Sequence, residues 1–79
     1  MIGMRVRLTF PEELVREPII ARLVRTFDVL PNIRRADVGE TTGWIVCELD
    51  GHAAALDEAV KWLRNEGVEV DLLGDVVES

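Results

Sequence analysis

Few side chains in this sequence are equipped for chemistry, and those few are scattered. His52 and Cys47 are its one histidine and one cysteine. No nucleophile adjoins His52, so it reads as a loop or helix-start residue rather than a general base. Cys47 alternates with apolar neighbours and is expected to face the core, where a thiol is inert. One cysteine makes no internal disulfide, and the paired histidines or cysteines that a metal site needs are absent from the sequence. Glu12-Glu13 and Asp57-Glu58 are adjacent carboxylates. Neighbours on a helix do not face each other, so both pairs read as solvated charge. Gly39 and Gly43 lack the GK[ST] helix entry of a phosphate loop. The sequence therefore predicts no catalytic residue, no metal and no cofactor.

The elements around these residues are readable from periodicity. Met4, Val6, Leu8 and Phe10 alternate with Arg5, Arg7 and Thr9, which predicts a half-buried strand closed by Pro11. Glu17-Pro18 opens a helix with Ile19, Ile20, Leu23, Val24 and Phe27 on one stripe. Pro31 stops it near Val29. Asn32 to Glu40 predicts a second strand. Ile33 and Val38 are an odd number of positions apart, so sharing a face requires a bulge; otherwise one is exposed on an edge strand. Thr41-Thr42-Gly43 is a turn. In Trp44–Asp50, Ile45, Cys47 and Leu49 face one side, and Trp44, Val46 and Glu48 the other. A second helix buries Ala55, Leu56, Ala59, Val60 and Leu63, and Gly67 suits the left-handed position after it. Val68 to Leu72 alternates as a fourth strand, leaving Gly74 to Ser79 as a short tail.

The order β-α-β-β-α-β predicts an α+β, ferredoxin-like sandwich: a four-stranded antiparallel sheet with both helices on one face. Seventy-nine residues make one domain, 1–79, with a small core. Small cores favour oligomerisation. The fifteen acidic and nine basic residues are unevenly placed. The early arginines and late carboxylates balance if the first strand lies beside the fourth, with Arg5 and Arg7 near Glu69 and Asp71 on the open face. Trp44, Val46 and Leu73 make that face partly apolar, which suggests self-association. The net charge of −6 and the lack of stacking aromatics on the first strand argue against nucleic acid. No apolar run is long enough to insert in a membrane, and no signal-peptide core is visible, so the expected compartment is the cytoplasm.

Several short segments, taken in order, resemble a NIL domain. They are Glu17-Pro18-Ile19-Ile20, Phe27-Asp28-Val29, Asn32-Ile33 and Gly43. Then follow Leu49-Asp50-Gly51, Ala59-Val60-Lys61-Trp62-Leu63 and Gly67-Val68-Glu69-Val70-Asp71-Leu72-Leu73-Gly74. The resemblance runs from about Arg5 to Asp75. The family is named for an Asn-Ile-Leu signature and is best known as the C-terminal regulatory domain of methionine-importer ABC ATPases. The third signature residue is Arg34 here, and a glycine common two positions later is Ala36.

The resemblance implies an ACT-like fold that pairs through its sheet into a homodimer. It implies a non-catalytic regulatory module that binds L-methionine or a related sulfur amino acid. Asn32 is the ligand-binding residue carried over from the signature, with Ile33 and Val38 as apolar positions around the same site. Arg34-Arg35 would pair with a ligand carboxylate or stay solvated on an edge strand. The ATPase motifs are absent from the sequence, so output would pass through a separate transporter or enzyme partner. The rival reading is a ligand-free adaptor for such a partner.

Overall fold

Strict alternation makes the first strand the spine of the sheet. The computed structural model describes residues 1–78 and runs β1 (Ile2–Phe10), a 3-10 turn (Glu12–Leu14), α1 (Ile19–Thr26), β2 (Val29–Val38), β3 (Gly43–Gly51), α2 (Ala53–Glu66) and β4 (Glu69–Glu78). The spatial order is β2-β3-β1-β4, with every pairing antiparallel. The expected ferredoxin-like α+β architecture is therefore the observed one. On β1, Val6, Leu8 and Phe10 are buried; on β3, Ile45, Cys47 and Leu49 are. Ile19 and Leu23 of α1 and Leu56, Ala59, Val60 and Leu63 of α2 close over them in one apolar cluster. Phe27 and Trp62 bridge the helices edge to face, with ring centroids 5.9 Å apart.

The end of α2 shows how sequence sets geometry. Gly67 takes φ 101°, a conformation that costs a residue with a Cβ. Its N–H donates to the Arg64 carbonyl, and the Val68 N–H donates to the Leu63 carbonyl. Val68 and Leu63 are both buried, which completes the apolar contact of this cap and aims the chain into β4.

Three boundaries differ from the sequence reading. Helix α1 ends at Thr26, where Phe27 turns extended. Strand β2 then starts at Val29 and includes Pro31 opposite Leu49. Proline is tolerated there because β2 is an edge strand, whose outward N–H groups have no ladder partner to lose. The C-terminal tail is strand: β4 continues to Glu78 after an irregularity between the pairs Val6↔Leu72 and Met4↔Val76. Gly74, at φ 82°, supplies the bend.

Cys47 is fully buried on the helix side of β3, as the alternation requires. Its thiol should stay unlabelled by a thiol reagent in native protein and react at the rate of unfolding. Fast native labelling would mean that β3 presents its other face to the helices.

Candidate functional site

The geometry of β2 turns on one residue. Ile33 pairs with Cys47 and Arg35 pairs with Val46, so Arg34 is the extra residue of a β-bulge. A bulge lets two consecutive side chains share a face and resets the alternation beyond them. Arg34 and Arg35 accordingly both line a depression on the open face of the sheet. Beyond the bulge Ala36 pairs with Ile45, Asp37 with Trp44 and Val38 with Gly43. Ile33 and Val38 thus lie on the helix side, like Cys47 and Gly43 opposite them. The parity conflict in the sequence is resolved by the bulge.

Asn32 pairs with Glu48 and lies on the open side, the reverse of Ile33 and Val38. The structure therefore brings Ile33 and Val38 to one face and leaves Asn32 on the other. All three are exposed, Ile33 at 50% and Val38 at 57% of their surface, because neither helix reaches over the edge strand. Asn32 sits within the strand rather than in a turn after Pro31. Its carboxamide makes no hydrogen bond among the described residues, so both its donors and its acceptor are available.

Val38 also borders the better-formed cavity, of about 160 Å³. Phe10, Leu14, Val15, Ile19 and Ile45 make its walls apolar, and Glu17 stands among them. Glu17 is held by Arg22, whose guanidinium lies 3.2 Å from the carboxylate. Val38 packs over Gly43: a Cβ added to the glycine would lie 3.5 Å from the valine side chain. This cavity has no counterpart among the sequence expectations. Its signal was the short segment between Pro11 and Pro18, which is too brief for a packed helix and folds as a single 3-10 turn between β1 and α1.

The open face is less apolar than its sequence suggests. Trp44 carries two guanidinium groups, Arg7 at 5.3 Å and Arg35 at 5.9 Å from the ring centroid. Val46 lies between the same two strands, opposite Arg7 on one side and Arg35 on the other. Of the expected charge balance with β4, the register sets Arg7 opposite Asp71 but Thr9 opposite Glu69, and the Arg7 guanidinium lies over Trp44 rather than on the carboxylate. In the β1–β3 ladder Arg5 pairs with Glu48. His52 stands exposed just before α2 and makes no side-chain cap bond. No three His, Cys, Asp or Glu side chains converge as a metal site among the described residues. Among the described residues no helix is long and apolar enough to cross a membrane.

Comparison with known proteins agrees with the segment order. A 33% identity over 76 residues relates the chain to the methionine import ATP-binding protein MetN of Aliivibrio fischeri, covering 91% of this chain and 22% of that protein. The match to MetN 2 of Bacillus licheniformis is 27% over 78 residues, covering 94% and 23%. The chain thus spans less than a quarter of the length of the curated relatives it matches. The crystal structure of the C-terminal domain of an ABC transporter ATP-binding protein from Enterococcus faecalis superposes with TM-score 0.80 at 27% identity, covering 92% of this chain and 86% of that one. The profile of the NIL domain matches residues 4–71, and on that match the chain belongs to the NIL domain family.

Proposed function

We propose that this chain is a non-catalytic regulatory module that binds L-methionine or a related sulfur amino acid at the β2 edge. The match to methionine import proteins along nearly the whole chain carries the reading. The geometry supplies the parts. The carboxamide of Asn32 can donate to a carboxylate and accept from an ammonium group. The apolar cavity beside Val38 has room for a thioether side chain. Its volume resembles that of engineered apolar cavities of roughly 150 Å³ that take up benzene. The module would act in the cytoplasm and regulate methionine uptake through a transporter partner.

One chain does not complete this site. Asn32 and Val38 pair with β3 residues five positions apart, Glu48 and Gly43. At about 3.4 Å per strand residue they stand roughly 17 Å apart, beyond the reach of one amino acid. A second copy laid antiparallel along the same edge brings the Asn32 end of one strand beside the Val38 end of the other, and because the twofold keeps Asn32 on the open face and Val38 on the helix face, the shared ligand would cross the seam between the two edges. Leu30, Ile33 and Val38 are exposed apolar residues on that edge, and such an edge invites pairing. Face-to-face packing is disfavoured, because it would set the arginine cluster of one copy against that of the other. The homodimer proposed here is therefore an edge-to-edge, twofold one.

Calorimetric titration with L-methionine, D-methionine and the other common amino acids tests the binding. Saturable, stereospecific uptake by methionine is the expected outcome. Its absence would leave the ligand-free adaptor as the reading. Light scattering should give a dimer at high micromolar concentration, and Ile33→Asp should return it to monomer by placing like charges in the edge. A monomeric unmutated protein, with and without methionine, would remove the shared site.

A further inference from the structure

We propose that the open face of the sheet holds a second ligand site, for a compact anion carrying about three negative charges. The chain is acidic overall, at −6, yet four of its nine basic residues line one depression. Arg5, Arg7, Arg34 and Arg35 surround a floor of Val46 and Leu73. Arg7 and Arg35 flank Val46 in one cross-strand row, roughly 10 Å apart by strand spacing. Like charges gathered in this way oppose folding unless something binds between them.

Three of these arginines are not consumed by the protein's own carboxylates. Among the described residues, Arg7, Arg34 and Arg35 form no ion pair. Asp71 lies opposite Arg7 in register, but the guanidinium of Arg7 is drawn over Trp44 instead. Glu48 and Asp50 lean the other way, over Gly3, where an added Cβ would lie 3.0 Å from Glu48 Oε1 and 2.7 Å from Asp50 Oδ1. Asp37 and Glu69 sit in the next cross-strand row, with Trp44 and Thr9. Three guanidinium groups are thus left for a ligand.

Two devices hold them in place. The bulge at Arg34 turns consecutive arginines to the same face. The Trp44 ring fixes Arg7 and Arg35 from below, which limits the side-chain entropy lost on binding. Guanidinium forks match phosphate and carboxylate oxygens alike. The shared chemistry is therefore a small polyanion, drawn from either phosphate or polycarboxylate compounds.

Calorimetry of the full chain with pyrophosphate and with citrate distinguishes these sources at comparable charge. Saturable binding of at least one is expected, weakened tenfold or more by Arg7→Gln with Arg35→Gln. Arg34→Gln, which alters a group outside the sheet ladder, should weaken it several-fold and guards against misfolding of the double variant. Arg16→Gln with Arg25→Gln makes the same change in net charge away from the face and should leave affinity unchanged. Equal losses in that control, or no saturable binding of either anion, would overturn the proposal. So would tighter binding of a thymidine oligonucleotide than of both small anions. Methionine affinity measured on the same variants keeps this result separate from the β2-edge site.

Discussion

Asn32→Ala should lower methionine affinity roughly ten- to a hundredfold while moving the melting temperature by only a few degrees. The affinity loss follows from one or two hydrogen bonds to the ligand's polar ends. Leaving such groups unpaired costs about 1–3 kcal/mol. The stability side follows from the position. Asn32 is exposed on an edge strand, and its side chain has no hydrogen-bond partner among the described residues. Surface substitutions of that kind stay within about 0.5 kcal/mol, or a few degrees in a domain this small. The competing role, in which the amide shapes the local backbone, predicts the opposite pair of results: a lower melting temperature and unchanged intrinsic affinity. Calorimetry and thermal unfolding on one sample decide between them. Unchanged affinity would remove Asn32 from the site, even if methionine binds elsewhere.

The legibility of this chain follows a physical line. Strands β1 and β3 lie in the middle of the sheet with one face in the core, so period-two burial printed their register plainly. Cys47, Val6 and Leu8 all sit where alternation puts them. Edge strand β2 buries Val29 but none of its residues from 30 to 38, and its pattern carries less information. The odd spacing of Ile33 and Val38 announced a bulge or an exposed edge, and both occur. It did not say which residue bulges. That choice decides that Arg34 and Arg35 share a face, and with it the arginine cluster. The β4 extension was illegible for a related reason. Gly74 reads locally as a strand end, whereas β1 is long enough to template pairing beyond it. The cavity beside Val38 depends on three segments distant in sequence, so the short segment between Pro11 and Pro18 was its one local trace.

Raising the pH from 9 to 11 should cost this domain about 2 kcal/mol of stability, and Cys47→Ala should abolish most of that loss. Burial in the core, away from water and any cation, penalises the thiolate and pushes the Cys47 pKa up to about 11. In the unfolded chain the thiol ionises near the ordinary cysteine value of about 8.5. Below that value both states hold the proton, and the full contribution is present. Between the two values only the folded state retains it. Stability then falls by about 1.4 kcal/mol per pH unit, until the folded thiol also ionises. The composition makes the measurement clean: the chain has no tyrosine and a single lysine, Lys61. Lys61 is exposed beside Asp57 and Glu58, at 3.4 and 3.8 Å, where solvent screens its ion pairs. The predicted loss is a large part of the roughly 4–12 kcal/mol that a domain of this length commands. Denaturant unfolding at closely spaced pH values, with the thiol kept reduced, reads the slope. An identical slope in Cys47→Ala would show that another group carries the alkaline transition and that the thiol is not held in the core as a neutral group.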